Sequence, residues 1–364
     1  MNAATRTSAP VRLLCALSVC TILVAGLWPF HSPRNNVTWL ERGNGLRLRK
    51  PATILSSGPI WTTPGTGPTA CSLEIWLQPS KTEDSSTILS LYNPASPIRV
   101  SLRQSISDLA LQSEGRRGGP DDSIRLYVDR LFHAGRPVFL TITSTPQRTA
   151  VYVDGRLAII RPNFPLICPH PQPWLVAGTS PIAPDGWAGE LRGLALYPVD
   201  LPPGEVARHH SDWTSNGQPD FQAVAGTAAL YLFREHSGSV IHSASGAGPD
   251  LRIPENYQLV DKLFLSWPNR WNGSDILLNW AGFIPLGLCL YLLNRRAPVR
   301  ALLLTTLLGM TLSLAIETLQ FYLPTRDSDL TDVITNTLGT ACGALLCRTA
   351  VVRSLFLGTG WLKD

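Results

Sequence analysis

At 364 residues the chain exceeds the usual length of one domain, so two modules plus membrane segments are expected. Only 16% of the residues are charged and 44% are apolar, while 30 prolines and 29 glycines indicate turn-rich β structure beside the apolar runs. The net charge of +5 comes from short Lys and Arg clusters that flank apolar runs, as in a membrane topology signal, which argues against a nucleic-acid-binding protein.

The first apolar run spans residues 13–30 and follows Arg6 and Arg12. At about 1.5 Å per residue, a helix of this length measures about 27 Å, close to the thickness of a bilayer core. A cleaved signal peptide is the alternative, but the run is long for one and ends in LWPF rather than in small residues. We therefore predict that residues 1–34 form a cytoplasmic tail and a retained membrane helix, and that the following residues are exported.

Residues 35–262 consist of short alternating segments separated by turn signals, among them CSLEIWLQP, STILSLYN and GELRGLALYP. Alternation of this kind is typical of β-strands, and seven or more such segments predict a β-sandwich. In AVYVDGRLA, Asp154 and Gly155 separate two alternating runs. Because glycine tolerates a positive φ, this pair predicts a hairpin with a type I′ turn.

Three blocks of this module occur in the order found in laminin G and concanavalin A-like jelly rolls. They are CSLEIWLQP, FLTITSTPQRTAVYVDGRLA and GWAGELRGLALYPVDLPPGEVARHH, and the resemblance covers about residues 46–233. It implies an exported all-β jelly-roll sandwich in which the first block is an inner strand with Trp76 packed inside. It also implies recognition of a carbohydrate or a protein through loops at one rim, sometimes with calcium.

Two pairs of adjacent acidic residues are the candidate calcium ligands of the module. Asp121 and Asp122 form one pair, and Glu83 and Asp84 form the other. Adjacent acids in a loop are more often solvated turn residues, and no EF-hand loop is present. We therefore predict no cofactor and no metal site, with calcium as the weaker alternative.

The exported module carries no motif of a familiar enzyme class. GxSxG, HExxH, a P-loop and GxGxxG are all absent from its sequence. A pair of glycosidase carboxylates from distant strands would leave no such motif. Trp174 and Trp187 are candidates for stacking on sugars, and packing in the core is the alternative for each. The sequence favours binding over hydrolysis in this module.

The seven cysteines show no CxxC spacing and no metal-ligand pattern. Five of them lie inside apolar runs, where small buried thiols are ordinary: Cys15, Cys20, Cys289, Cys342 and Cys347. Cys71 and Cys168 remain for the exported module. Export would permit a disulfide between them, and two free thiols are the alternative.

Three further uncharged apolar runs follow the exported module, at residues 276–293, 301–316 and 333–347. Arginines 295, 296 and 300 lie between the first two runs, and arginines 348 and 353 follow the last, so the positive-inside rule places both clusters in the cytoplasm. We predict an α-helical transmembrane bundle of about four spans, formed by the N-terminal helix and residues 263–364, in a bacterial cytoplasmic membrane. The last run is short for a bilayer and would have to tilt.

One phrase occurs twice in this C-terminal part, as SDILLNWAG at residues 274–282 and TDVITNTLG at residues 331–339. Three pairs of residues share an offset of 57 positions: Asp275 and Asp332, Asn279 and Asn336, Gly282 and Gly339. Residues at i, i+4 and i+7 lie on one stripe of a helix. Polar side chains in a membrane helix are costly to bury, so this stripe is a functional-site hypothesis.

The third span and the loop after it add further polar groups. Glu317 and Gln320 lie about two turns before Pro324, at a depth comparable to that of the asparagines. Arg326 follows in the outer loop, where it could pair with the carboxylates or with a phosphate or carboxylate of a ligand. The alternative is a clamp of interhelical hydrogen bonds without a ligand. The predicted site consists of Asp275, Asn279, Glu317, Gln320, Arg326, Asp332 and Asn336.

Two glycines and a proline predict how the spans pack. Gly339 and Gly343 form a small-xxx-small pair on the polar stripe, which would let two helix backbones approach closely. Pro285 removes a backbone donor and predicts a kink of the second span near Ala281.

The C-terminal motifs resemble those of the VanZ-like family of bacterial membrane proteins. The similarity covers about residues 261–352, through DILLNWAGFIPLG and SLAIETLQFYLPTRDSDLTDVITNTLGTACGAL. The family is named for a component of resistance to glycopeptide antibiotics, specifically teicoplanin. This chain departs from the pattern because a large exported module lies between its first two spans, so a role in resistance is not assumed.

We predict a membrane protein whose exported sandwich binds an envelope glycan or a cell-surface protein, and whose bundle offers an acidic site near the outer leaflet. One alternative is a membrane-embedded enzyme acting on a lipid-linked precursor, with Glu317 or Asp332 as general base and Arg326 holding a phosphate. A small transporter is the other alternative. The residues leave open whether the bundle is catalytic.

Overall fold

The computed structural model describes residues 9–61, 70–95, 99–114, 124–164, 172–216, 227–262, 264–267, 273–294 and 297–349. The chain divides into two compact units. One consists of Pro33–Lys262, and the other of Met1–Ser32 together with Leu263–Asp364. Each unit is described by itself.

In its described residues, the unit formed by Pro33–Lys262 contains two antiparallel β-sheets and one helix. Its elements are β1 (Val37–Trp39), β2 (Leu46–Leu48), β3 (Ile54–Ser56), β4 (Cys71–Pro79), β5 (Ser85–Tyr92), β6 (Arg99–Ser105), β7 (Asp108–Glu114), β8 (Ile124–Val128), β9 (Val138–Thr145), β10 (Arg148–Val153), β11 (Arg156–Pro162), β12 (Trp174–Ala177), β13 (Gly189–Tyr197), α2 (Pro203–Asn216), β14 (Ala229–Tyr231), β15 (Val240–Ile241) and β16 (Leu251–Arg252). One sheet has the order β1-β2-β13-β4-β9-β10-β11, with β14 also pairing β13. The other has the order β15-β16-β3-β12-β5-β6-β7-β8. The predicted all-β sandwich is confirmed.

The Asp154–Gly155 turn has the geometry that the sequence predicts. Val153 pairs with Arg156 across a two-residue loop that joins β10 to β11. Asp154 and Gly155 have φ angles of 48° and 75°, so both central residues are left-handed, as a type I′ turn requires.

Trp76 lies on the face of β4 opposite to the predicted one. The main core between the sheets contains Leu73, Ile75 and Leu77. Trp76 points to the opposite face of the strand, where it is half-buried against a second apolar cluster that includes residues of α2. The guanidinium of Arg192 lies 5.7 Å from the centre of its ring. Trp76 therefore covers the outside of a sheet, because period-two alternation places it opposite the inward-facing leucines.

A buried carboxylate connects α2 to the outer face of this sheet. Glu74 is 0% exposed, and its carboxylate lies 2.8 Å from Nδ1 of His209. It also accepts hydrogen bonds from the hydroxyl of Tyr197 at 2.8 Å and from Nε1 of Trp213 at 3.2 Å. Burial, with the neighbouring Glu74 carboxylate as a second cause, raises the pKa of Tyr197 well above its ordinary value. The phenol therefore stays protonated and donates to Glu74.

The described part of the second unit forms four helices: α1 (Ala9–Leu27), α3 (Gly273–Asn294), α4 (Pro298–Phe321) and α5 (Leu330–Leu346). Among the described helices, α1, α3 and α4 are long and apolar enough to cross a membrane. The helix expected to be the fourth span, α5, has 17 residues and is the short one that the sequence predicts. Three of the four predicted spans are thus found as apolar helices of sufficient length.

Glycines bring α3 and α5 into backbone contact. A Cβ atom added to Gly339 would collide with the main-chain oxygen of Trp280, and one added to Gly343 would collide with that of Ile284. Gly287 of α3 faces the backbone of Thr340 in the same way. The predicted close approach through Gly339 and Gly343 is confirmed. The kink predicted at Pro285 does not divide the helix, since α3 runs without interruption from Gly273 to Asn294.

Candidate functional site

The loop between α4 and α5 is held in place from two sides. Asp329 caps α5, and its side chain accepts a hydrogen bond from the amide of Thr331 at 2.8 Å. The amide of Asp329 in turn donates to Oε2 of Glu317 on α4, also at 2.8 Å. Ser266, in the segment before α3, exchanges main-chain hydrogen bonds with Ser328 and Leu330. These contacts fix the acidic loop over the end of the bundle.

Beneath this loop lies a cavity of about 570 Å³. Its lining comes from α1, α3, α4, α5 and the loop itself. The structure brings all seven residues of the sequence-predicted site to this cavity: Asp275, Asn279, Glu317, Gln320, Arg326, Asp332 and Asn336. The convergence of polar groups from three helices is therefore observed, while ligand binding there stays a prediction.

The two copies of the repeated phrase meet in the cavity, but they are not equivalent. Asn279 of the first copy makes a side-chain hydrogen bond with Asp332 of the second. Asn336 of the second copy instead donates to Oγ of Ser313 on α4, at 2.9 Å. The glycines differ too, because a Cβ on Gly282 would meet nothing within 4 Å. Gly282 of the first copy thus faces open space in the cavity, whereas Gly339 of the second is packed against α3.

Two of the predicted site residues attach α1 to the bundle. Gln320 donates from Nε2 to the main-chain oxygen of Gly26 at 2.8 Å. Arg326 donates to the oxygen of Trp28 at 3.0 and 2.7 Å and to that of Ala25 at 3.2 Å. A cation at these carbonyls also complements the helix dipole of α1. The sequence assigned Arg326 to carboxylates or to a ligand, and these three contacts were not predicted.

The loop contributes two further lining residues that the sequence analysis missed, Asp327 and Asp329. The available signal was the net acidic composition of PTRDSDLTD, residues 324–332. Among the polar atoms of the lining, Oδ1 of Asn336 and Oγ1 of Thr331 are buried without a hydrogen-bond partner in the part of the chain that is described. Their residues are 5% and 6% exposed.

The two tryptophans of the sandwich that were candidates for stacking on sugars lie in different surroundings. Trp187 is 1% exposed and donates to Oε1 of Gln104 at 2.8 Å, so it is a core residue and its proposed stacking on sugars is wrong. Trp174 begins β12 and is half-buried.

Cys71 is disulfide-bonded, whereas Cys168 lies outside the described residues.

Of the two acidic pairs predicted as candidate calcium ligands, the structure describes only Glu83 and Asp84. Asp84 forms an ion pair with Lys50 at 3.2 Å, and Asp121 and Asp122 lie outside the described residues. Within the ranges that the structure describes, no three His, Cys, Asp or Glu residues are grouped so as to hold a metal ion.

Most of the cavity lining lies in a part of the chain that matches a family model. Residues 224–353 match the model of the VanZ/LLP1 family. This chain contains a VanZ-like domain. The match starts before residue 261, where the sequence resemblance began, and so includes β14, β15 and β16. The VanZ-like domain and the three long apolar helices together fit a membrane protein. No protein with a curated description matches the chain.

Three solved structures are similar to this chain over part of its length. A Bacteroides ovatus protein to which carbohydrate binding has been ascribed is 12% identical, with a TM-score of 0.42, over 61% of this chain and 62% of its own. The SAP-like pentraxin of Limulus polyphemus is 13% identical, with a TM-score of 0.37, over 63% and 96%. Domain 4 of AbnA, a GH43 extracellular arabinanase from Geobacillus stearothermophilus solved with arabinotriose, is 15% identical, with a TM-score of 0.39, over 48% and 84%. This chain therefore spans less than two thirds of the first of these proteins.

Proposed function

We propose that the VanZ-like domain binds a polar group of a cell-envelope molecule in its acidic cavity. We further propose that the sandwich recognises an envelope glycan on the extracytoplasmic side of a bacterial cytoplasmic membrane. The convergence of all seven predicted polar residues on one cavity of about 570 Å³ carries the proposal for the VanZ-like domain. A role in envelope maintenance, including any part in glycopeptide resistance, would follow from these two binding activities.

The unpartnered atoms favour a ligand site over a clamp without a ligand. A clamp exists to satisfy polar groups inside the bundle, yet Oδ1 of Asn336 and Oγ1 of Thr331 have no partner among the described residues. A buried acceptor without a hydrogen bond costs about 1–3 kcal/mol. The cavity volume also falls within the roughly 300–1,000 Å³ that ligand pockets occupy. Both observations are accounted for if a ligand completes the hydrogen bonds.

Binding is favoured over catalysis by what the two proposed catalytic groups contact. The enzyme alternative needs Arg326 for a phosphate, but three of its hydrogen bonds go to the main-chain oxygens of Ala25 and Trp28, at the end of α1. It also needs Glu317 as a general base, but Oε2 of Glu317 holds the amide of Asp329. Both side chains therefore build the cavity wall.

The contacts of α1 favour the retained anchor over a cleaved signal peptide. Ile22, Ala25 and Gly26 form part of the cavity wall, and Gln320 and Arg326 both hydrogen-bond to this helix. Removal of α1 would open the cavity and leave these two donors without their acceptors.

We expect leucine at Gly282 to reduce the amount of envelope molecule that the protein retains by at least tenfold. Gly282 lines the cavity, and its Cβ position is open, so the larger side chain occupies ligand space without a backbone clash. The full chain would be placed in nanodiscs of a bacterial polar lipid extract, and native mass spectrometry would measure the bound mass. Gly273→Leu is the matched control, because Gly273 also lies on α3 with open space around it but is not part of the lining. Equal bound mass in the two variants would contradict the proposal.

The sandwich is tested separately. The detergent-solubilised full chain is expected to bind at least one glycan class on an array of envelope polysaccharides, and Gly282→Leu should leave this binding unchanged. An array without signal would contradict glycan recognition and leave the cavity proposal standing.

A further inference from the structure

The cavity of the VanZ-like domain has a formal excess of negative charge. Its described lining contains one basic side chain, Arg326, against five carboxylates: Asp275, Glu317, Asp327, Asp329 and Asp332. Arg326 donates three hydrogen bonds to the main-chain oxygens of Ala25 and Trp28, at the end of α1, which leaves only part of its donor capacity for acids. An anionic group would be repelled by this lining, whereas a cation would be attracted.

The lining also offers hydrogen-bond acceptors inside the bundle. Asn336 is 5% exposed, and its amide nitrogen is used by Ser313, while its Oδ1 has no partner in the described part of the chain. Oγ1 of Thr331, one turn nearer the loop, is buried and without a partner in the same residues. Both oxygens can accept from an N–H group. The ligand should therefore carry donors as well as positive charge.

Two other classes of cation fit less well. A metal ion needs several ligands within coordination distance, and among the described residues no three His, Cys, Asp or Glu side chains are so placed. A quaternary ammonium has no N–H donor and is recognised by cages of aromatic rings. Phe283 is the one aromatic side chain in the described lining.

We propose that the cavity binds a protonated primary amine, R–NH₃⁺, carried by an envelope molecule. This proposal rests on the proposed function, since it names the chemical class of the ligand at the same site. An ammonium group supplies three donors, and the dispersed carboxylates supply the countercharge. A lipid headgroup and a soluble or glycan-linked molecule are the two sources of such an amine, and both present the same chemistry to the site.

Ethanolamine, choline and N-acetylethanolamine separate charge from hydrogen bonding. Choline keeps the charge of ethanolamine but has no N–H donor, and N-acetylethanolamine keeps a donor but has no charge. We expect ethanolamine to bind the purified full chain saturably in amine-free phosphate buffer at pH 7, measured by equilibrium dialysis. Choline should bind at least tenfold more weakly, and N-acetylethanolamine should show no saturable binding. Equal binding of either analogue would overturn the proposal.

Variants test whether this binding occurs in the cavity. Asp332→Asn removes one charge but keeps an acceptor for Asn279, and it should weaken ethanolamine binding about tenfold. Gly282→Leu should abolish the binding, and Gly273→Leu should leave it unchanged. An ethanolamine affinity that is the same in all four proteins would show that the amine binds elsewhere.

Nanodiscs distinguish the two sources of the amine. If a lipid headgroup is the ligand, discs that contain phosphatidylethanolamine should reduce ethanolamine binding at least tenfold relative to discs of phosphatidylcholine. If the ligand is soluble or glycan-linked, ethanolamine should bind equally in both discs. Failure of ethanolamine to bind in either disc, with the Gly282→Leu effect on retained envelope mass intact, would reject the amine and keep the ligand site. Loss of that mass effect would reject the proposed function itself.

Discussion

Leucine at Gly339 is expected to prevent the VanZ-like domain from folding, while leucine at Gly282 leaves it folded. The two glycines occupy the same position of the repeated phrase, 57 residues apart. At Gly339 any Cβ atom meets the main-chain oxygen of Trp280, and at Gly282 it meets nothing within 4 Å. Overpacking against movable side chains already costs about 1–3 kcal/mol. A clash between two helix backbones should cost more, because α3 and α5 must separate along their length.

The measurement is size-exclusion chromatography and thermal melting of the full chain in detergent. Gly339→Leu should aggregate or melt at least roughly 10 °C below the wild type, since about 1 kcal/mol lowers the melting temperature of a small domain by roughly 4–8 °C. Gly343→Leu should behave alike, because its Cβ would meet the oxygen of Ile284. If Gly339→Leu elutes and melts like Gly282→Leu, the close backbone packing of α3 and α5 is refuted.

Replacing Glu74 with leucine is expected to destabilise the sandwich by about 3–5 kcal/mol, because it leaves three buried polar groups without their partner at about 1–3 kcal/mol each. Leucine is similar in volume to glutamate. The destabilisation should therefore come mainly from lost hydrogen bonds and not from a new cavity. His209, Tyr197 and Trp213 would each keep a buried polar group that no longer has its acceptor. Tyr197→Phe should cost much less, about 1 kcal/mol, because it removes a single hydrogen bond and leaves the carboxylate two partners.

Hydrogen exchange followed by mass spectrometry in the full chain would measure this loss at the amides of β4, β13 and α2. Glu190→Leu is the control, because Glu190 lies on β13 and pairs with Arg47 and Arg192, whose side chains are 43% and 30% exposed. Those two arginines can return to water, so this variant should cost at most about 1 kcal/mol. Similar exchange rates in Glu74→Leu and Glu190→Leu would show that the buried network contributes little to stability.

The parts of the site that follow from local periodicity could be predicted. The 57-residue offset and the i, i+4, i+7 spacing place Asp275, Asn279, Asp332 and Asn336 on stripes of two helices, and all four line the cavity. The close approach at Gly339 follows from the small-xxx-small pattern for the same reason. Apart from the comparison of the two copies, each of these inferences depends only on residues within a few helical turns.

The parts that depend on which elements become neighbours could not be predicted. Arg326 donates to the main-chain oxygens of Ala25 and Trp28, at the end of α1. No spacing in the sequence connects that helix to the α4–α5 loop. Alternation along β4 groups Glu74 with Trp76 on one face, but it does not say whether a second sheet or a helix covers that face. Gly282 and Gly339 have the same local context, and only the structure shows that one is open and the other is packed.

The attachment of α1 through Gln320 and Arg326 has a consequence for biosynthesis. The residues joined by these hydrogen bonds are 294 to 301 positions apart. At roughly 5–20 residues per second, the ribosome needs roughly 15–60 s to translate the intervening chain. During that interval α1 lacks these two hydrogen-bond donors, and the whole sandwich is synthesised before α4. The α1 side of the cavity is therefore synthesised first, but its hydrogen bonds to Gln320 and Arg326 are among the last contacts of the cavity to form.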